Sequence, residues 1–220
     1  MKFDFSTNGD IFLEAIGTTL YIVAVAMGIG GLVGLALGLT LYLTRRGGLK
    51  QNKVVFTILN VIINFFRPIP FIIFIAAMGP LTLAVVGTSI GTNAFIFPAS
   101  IMVSMATARL VEQSLVSVDP GVIEAARAMG ASTWRIIHTV LLREALAPLI
   151  LGYTFLFVAV VDMSALAGIV AGGGLGAFAL SYGYQRFDWA ITWITVLVIV
   201  VIVQAVQFLG NWLARRTQHR

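Results

Sequence analysis

Long apolar runs separated by short basic clusters limit most strongly what this chain can fold into. A helix needs about 20 mostly apolar residues to cross a bilayer, and five runs approach or exceed that length: 16–43, 54–78, 93–108, 146–161 and 190–212. Charged residues make up only 10% of the chain, against roughly a quarter in a soluble domain. We therefore expect an all-α membrane protein whose residues 1–220 form a single transmembrane domain.

The number of spans is not fixed by composition alone. The third and fourth runs are short for a helix that crosses a bilayer. The stretches 81–90 and 169–180 are also largely apolar. Counts of four and six spans therefore stay open beside the count of five.

Basic residues favour five spans and set their orientation, because loops on the cytoplasmic side carry an excess of lysine and arginine. Ten of the 14 basic residues follow the first, third and fifth runs: Arg45, Arg46, Lys50, Lys53, Arg127, Arg135, Arg143, Arg215, Arg216 and Arg220. The opposite loops hold Lys2, Asp4, Asp10, Arg186 and Asp188. Five spans place all three basic clusters on one side. We expect the amino terminus outside and the carboxyl terminus in the cytoplasm.

Several kinds of chemistry have no support in the sequence. No cysteine is present, which excludes disulfides and thiol chemistry. His138 and His219 lie far apart, so we expect no metal and no cofactor. The glycine-rich stretch 172–176 lacks the lysine and hydroxyl residue of a phosphate loop, and its glycines favour tight turns or a gate. Residues 1–14 are too charged for a cleavable signal. The net charge of +5 lies in loops between apolar runs, which argues against a nucleic-acid partner.

Two features inside the first two runs predict local structure. Gly30, Gly34 and Gly38 recur at every fourth residue, a spacing that lets helix backbones approach closely in lipid. We expect them to pack within the chain or against a second copy. The segment 67–70, Arg-Pro-Ile-Pro, predicts a kink or break in the second span. Arg67 either lines a water-filled path, or snorkels to the interface, or pairs with carbonyls freed at the break.

The stretch 119–145 is too polar to span a membrane and has the pattern of two short helices. Asp119 followed by Pro120 is a favourable helix start, and Gly130 is a natural left-handed end. Ser132 can cap a second helix that begins near Thr133. The first helix, of about ten residues, would be roughly 15 Å long and cannot cross a bilayer.

The residues on the surface of this first helix favour contact with another protein over contact with lipid. One face carries small or apolar residues at helical spacing: Val122, Ala125, Ala126 and Met129. Together with exposed Glu124 and Arg127, this face suits insertion into a groove of another protein. The alternative is a helix lying on the lipid surface. The lack of an aromatic anchor and of a basic face argues against that alternative.

Residues 124–130, with the sequence EAARAMG, are followed after nine residues by Val-Leu-Leu at 140–142. This pattern resembles the EAA loop of bacterial ABC importer permeases. In that family, the loop forms short cytoplasmic coupling helices before the penultimate span, and these sit in a cleft of the ATP-hydrolysing subunit. The resemblance implies that six residues couple to an ATPase: Glu124, Ala125, Ala126, Arg127, Met129 and Gly130. The family pattern has proline after the last leucine, whereas this chain has Arg143 there and Pro148 further on.

Four other stretches resemble methionine importer permeases in particular: 66–73, 86–91, 173–176 and 182–184. The resemblance implies a non-enzymatic subunit of the bacterial inner membrane. It also implies a homodimer, two ABC ATPase subunits, an extracytoplasmic substrate-binding protein, and methionine or a related small amino acid as substrate. Another polar amino acid or small solute is the alternative substrate. A secondary transporter would need buried ion-coupling carboxylates or an internal repeat, and only Asp162 is a candidate.

The segment between the fourth span and the glycine-rich stretch supplies the candidate path residues. We expect Asp162, Met163, Ser164 and Leu166, together with Arg67, to line the translocation path or its outer gate. Asp162 stands where the resemblance predicts a small residue. Its carboxylate either adjusts the electrostatics of the path or reaches interface water.

Overall fold

Helices make up the fold, and the described residues contain no strand. The computed structural model describes residues 5–218, so Lys2, Asp4, His219 and Arg220 lie outside it. The long helices are α1 (Phe5–Thr44), α2 (Lys53–Phe66), α3 (Phe71–Val86), α4 (Thr92–Val116), α8 (Leu146–Ser164) and α10 (Trp189–Gln218). The short ones are α5 (Pro120–Ala128), α6 (Thr133–Arg135), α7 (Leu142–Glu144) and α9 (Gly174–Phe178). The predicted all-α membrane class is confirmed.

Four of the described helices are long and apolar enough to cross a membrane, namely α1, α4, α8 with its 3₁₀ extension, and α10. The pair α2 and α3 passes the same test together but is bent by 111°. Counted as one span, this bent pair makes five, which is the number that the basic clusters favoured.

Close contact between α1 and α4 forms the centre of the fold. A Cβ atom added at Gly30 would lie 2.7 Å from the Cβ of Val103, and one added at Gly38 would lie 2.7 Å from the Cβ of Val111. At Gly34 the carbonyl oxygen of Ser104 would be only 2.6 Å away. No side chain fits at such distances, so the three glycines bring the two backbones together. Of the two expected packing partners, the structure shows the one within the chain.

The predicted break in the second span falls between α2 and α3. The helix α2 is capped by Asn52, whose side-chain oxygen accepts hydrogen bonds from the backbone N–H groups of Val54 and Val55, both 3.1 Å long. It ends at Phe66, because Pro68 and Pro70 lack the N–H groups that would continue the helical hydrogen bonds. The chain turns and resumes as α3 at Phe71.

The helix α4 is longer than the sequence pattern indicated. The apolar run ends at Ala108, whereas the helix continues to Val116. Arg109 and Glu112 interrupt the run, but both lie on the helix and form a salt bridge with each other. Two serines of α4, Ser100 and Ser104, donate to the backbone carbonyls one turn earlier at 2.8 and 2.7 Å. Polar side chains therefore remain in the helix because their hydrogen bonds are made inside the protein.

The glycine-rich stretch forms a tight turn that is held from two sides. Gly173 and Gly174 have φ angles of 72° and 88°, which favour glycine. The N–H of Leu175 donates to the Thr19 hydroxyl of α1 at 2.8 Å. The Thr92 hydroxyl of α4 donates to the carbonyl of Gly172 at 2.9 Å. This turn is thereby fixed to both central helices.

Replacing Gly34 with leucine tests the central contact, since the added side chain must push α1 away from α4. We expect a loss of stability of at least about 2 kcal/mol, from overpacking at a tight contact. Thermal unfolding in detergent measures the loss as a lower midpoint. Gly28→Leu is the matched control on the same helix, because an added Cβ there meets no atom within 4 Å. Equal midpoints for the two variants would contradict the packing account.

Candidate functional site

The short helix α5 has well-defined ends on both sides. Asp119 Oδ1 accepts a hydrogen bond of 2.8 Å from the N–H of Gly121, and Pro120 occupies the first turn. At the other end, the N–H of Gly130 donates to the carbonyl of Arg127 and that of Ala131 to the carbonyl of Ala126, at 2.9 and 3.1 Å.

Gly130 itself has a φ of 78°. These two hydrogen bonds and the left-handed glycine constitute a Schellman motif. Both predicted ends of the first helix are thus present.

The two faces of α5 differ in burial. Ile123 and Ala126 are buried in a cluster with Val111, Leu115 and Val118, so they fix α5 against the end of α4. The predicted apolar face is therefore divided: Ala126 points into the protein, whereas Val122, Ala125 and Met129 point outward. The reason is that Ile123, which the predicted face omitted, takes the inward position with Ala126.

The outward face of α5 carries an apolar patch. Met129 is 81% exposed and Val122 is 40% exposed, and Trp134 on α6 beyond the loop is 71% exposed. Glu124 and Arg127 are exposed beside this patch. In the described part of the chain, Glu124 forms no salt bridge. An exposed thioether, an exposed indole and a carboxylate without a salt bridge, on neighbouring short helices, are typical of a region that contacts another molecule.

The segment after α5 anchors the loop to the rest of the protein. The hydroxyl of Ser132 accepts from the N–H of Arg135 and so caps α6. A π-helical turn, Ile136–Leu141, links α6 to α7 and buries Ile136, Ile137 and Leu141. His138 is exposed, and its ring lies 4.0 Å from that of Trp134. The chain continues through α7, which contains Arg143, before Leu146 begins α8.

A small cavity separates α5 from the loop between α1 and α2. Its volume is about 90 Å³, and it is lined by Arg45, Gly48 and Leu49 on one side and by Ile123, Glu124 and Arg127 on the other. Two arginines and one carboxylate therefore border it. The net positive charge of this border would favour an acidic surface on a protein that binds α5.

The candidate path residues have different environments. Arg67 and Asp162 are exposed, the first at the break after α2 and the second near the end of α8. Met163 and Leu166 are half-buried and pack against the main apolar cluster. Ser164 is buried, and its hydroxyl donates to the carbonyl of Val161 at 2.7 Å. The structure does not bring Arg67 and Asp162 into contact.

A polar cluster between α2 and α4 was not predicted from the sequence. Arg109 Nη2 donates to Asn60 Oδ1 and to Asn64 Oδ1, both at 2.7 Å. Arg109 Nη1 donates to Glu112. The spacing of these residues could have indicated the cluster. Two asparagines lie four residues apart in one apolar run, and two opposite charges lie three residues apart just after a second apolar run.

The chain belongs to the family described as binding-protein-dependent transport system inner membrane component, which matches residues 30–219. With its apolar helices, it is a multi-pass inner-membrane protein of permease type. It is 42% identical over 216 residues to the probable D-methionine transport system permease protein MetI of Vibrio cholerae, covering 98% of this chain and 96% of that protein.

Two further comparisons agree with this assignment. The methionine import system permease protein MetP of Bacillus subtilis is 42% identical over 172 residues, which cover 78% of this chain and 77% of that protein. A solved structure of the MetNI methionine ABC transporter in inward-facing conformations matches with a TM-score of 0.90 and 36% identity, over 94% of this chain and 96% of that chain. An amino acid ABC transporter at 22% identity shares the fold, with a TM-score of 0.80.

Proposed function

We propose that this chain is the permease subunit of an ATP-driven importer for methionine or a closely related small amino acid. The observation that carries the proposal is α5, a short capped helix that presents an exposed apolar patch. The likeness to methionine permeases over nearly the full length supports the substrate. The chain is not itself the enzyme of this system, and ATP hydrolysis belongs to a partner subunit.

In this proposal, α5 and the turn after it are the contact point for the ATPase. Ala125 and Met129 would fill a groove of the ATPase, and small side chains let the helix sit deeply in it. Glu124 and Arg127 would form charged contacts at the rim. Ala126 would act from the inner side, because its packing holds α5 against the end of α4. Gly130 would keep the turn short enough for α5 to be presented.

The remaining partners and the orientation belong to the same proposal. We infer two copies of the chain, two ABC ATPase subunits and a substrate-binding protein on the outer face. The basic clusters support a cytoplasmic location for α5 and the carboxyl terminus, with the amino terminus outside. Arg67, Asp162, Met163 and Leu166 are proposed to border the path or its outer gate. Ser164 would join them only after a rearrangement of α8, since it is buried here.

Substitution of Gly130 tests the coupling role of the loop. Gly130→Val forces a β-branched residue to a positive φ, which distorts the turn, whereas asparagine tolerates that conformation. We expect ATP-driven uptake to fall at least about tenfold in Gly130→Val, since placement of a contact helix controls coupling between subunits. Gly130→Asn should keep most of the native uptake.

Steric clashes do not complicate the comparison of the two variants, because an added Cβ at Gly130 meets no atom within 4 Å. Both variants must be present in the membrane in native amounts, which a blot of the membrane fraction checks. Native uptake in Gly130→Val would contradict the assigned role of the loop.

Uptake of radiolabelled methionine tests the function as a whole. Vesicles would carry the complex of this chain with its ATPase and binding protein. We expect uptake that requires ATP and is competed by unlabelled methionine more strongly than by other amino acids. If only a different solute reduced the uptake, the chain would still be an importer subunit, but its substrate would be that solute. Uptake by the chain alone without ATP would show a self-contained transporter and overturn the proposal.

A further inference from the structure

The polar cluster of Arg109, Glu112, Asn60 and Asn64, here called the α2–α4 clamp, has no place in the function proposed so far. The guanidinium group of Arg109 forms hydrogen bonds with the other three residues. Its Nη2 contacts both asparagines of α2 at 2.7 Å, and Nδ2 of Asn64 also donates to Asn60 Oδ1 at 3.2 Å. Its Nη1 contacts Glu112 one turn further along α4. The clamp therefore ties two separate helices through a single side chain.

The clamp lies away from the ends of α2 and α4 that are nearest to the loops 45–52 and 117–119. Arg109 is about 10 Å along the axis from the end of α4 at Val116, and Asn60 is about 10 Å from the start of α2 at Lys53. The side chains of Arg109 and Glu112 are only 18% and 11% exposed. Because so little of these two side chains is exposed, their charges depend on the hydrogen bonds and the salt bridge of the clamp.

One end of the clamp is rigidly attached to α5. Only three residues separate Val116 at the end of α4 from Pro120 at the start of α5. Ile123 and Ala126 of α5 pack into the cluster that contains Leu115 of α4. A displacement of α5 will therefore displace the end of α4 and, with it, Arg109.

The other end of the clamp is α2, a helix that ends at the break before α3. The break between α2 and α3 separates the two by a bend of 111°. Along α2, Ile63 is the buried residue in the described structure, where it packs against Leu41 and Ala108. Phe56 and Leu59 of α2 pack, partly buried, against the same cluster. The clamp adds a polar attachment to this small apolar contact, so we expect it to help set the direction in which α2 moves.

We propose that Arg109 is a positioning residue that makes α2 move together with the coupling helix α5 during transport. When the ATPase displaces α5, Arg109 pulls on Asn60 and Asn64, and α2 pivots at the break before α3. This inference rests on the proposed function, because it needs α5 to be the point where the ATPase acts. It differs from a purely structural tie, which would hold α2 in place without transmitting a displacement.

Removing the two asparagines tests the clamp while leaving Arg109 with its partner Glu112. In the double variant Asn60→Leu/Asn64→Leu, we expect the ratio of methionine imported to ATP hydrolysed to fall about tenfold, as for loss of one coupling interaction. The ATP turnover of the assembled complex should stay near native. Asn64→Asp, which gives Arg109 a carboxylate partner on α2, should keep most of the native ratio.

Thr57→Leu is the matched control, because Thr57 is exposed on the same helix one turn closer to its start. A native ratio in the double leucine variant would overturn the proposal. An equal loss of import, ATP turnover and complex yield would also overturn the proposal, because a purely structural tie predicts that result. Absence of ATP-dependent uptake in the native complex would instead refute the proposed function.

A distance measurement tests the proposal even if the double variant fails to assemble. The chain has no cysteine, so spin labels can be attached at Thr57→Cys on α2 and Ser117→Cys between α4 and α5. With the clamp intact, we expect the distance between the labels to stay constant between the nucleotide-free and ATP-bound complex. A change in that distance would show that α2 does not move with α5 and would overturn the proposal.

Discussion

The close contact between α1 and α4 is the interaction on which the rest of the structure depends. Three glycines of α1 remove the side chains that would hold the two helices apart. Apolar side chains alone give little preference for one helix pair over another in lipid, so association relies on tight packing of this kind. One end of the pair supports α5 through the cluster around Leu115, and the opposite end holds the glycine-rich turn through Thr19 and Thr92. The helix α5 and the glycine-rich turn are thus both positioned by one helix contact.

Most polar groups inside this frame are paired by the protein itself, although Oγ1 of Thr107 and Nε of Arg109 are buried without a partner among the described residues. The break before α3 frees backbone groups, and the proline residues that cause it leave fewer donors to satisfy. Arg109 is the most demanding case, since its guanidinium group lies about two helical turns inside α4. Asparagines on a separate helix and a glutamate on its own helix receive its hydrogen bonds. The pairing compensates this partly buried charge and connects α2 to the helix that leads into α5.

Much of the fold was predictable from local rules. The lengths of the apolar runs predict the spans, and the segment around Pro68 predicts the break. Asp119 and Gly130 predict the ends of α5. What was not predictable depends on neighbours in space. The pattern ended the third span at Ala108, because a run with Arg109 and Glu112 is no longer apolar, yet the helix continues. It also assigned Ala126 to the outward face of α5, whereas Ile123 and Ala126 pack inward together. The path residues are the least predictable, since burial of Ser164 depends on packing around α8.

The central claim is that the outward face of α5 is covered by an ATPase subunit. Cysteine labelling tests it most directly, because the chain has no cysteine of its own. In the isolated chain, Met129→Cys should react readily with a water-soluble maleimide, and Ala126→Cys should react slowly because that position is 4% exposed. Adding the ATPase should protect Met129→Cys by about tenfold or more, as expected for a residue buried at a specific interface. Equal labelling of Met129→Cys with and without the bound ATPase would contradict the account.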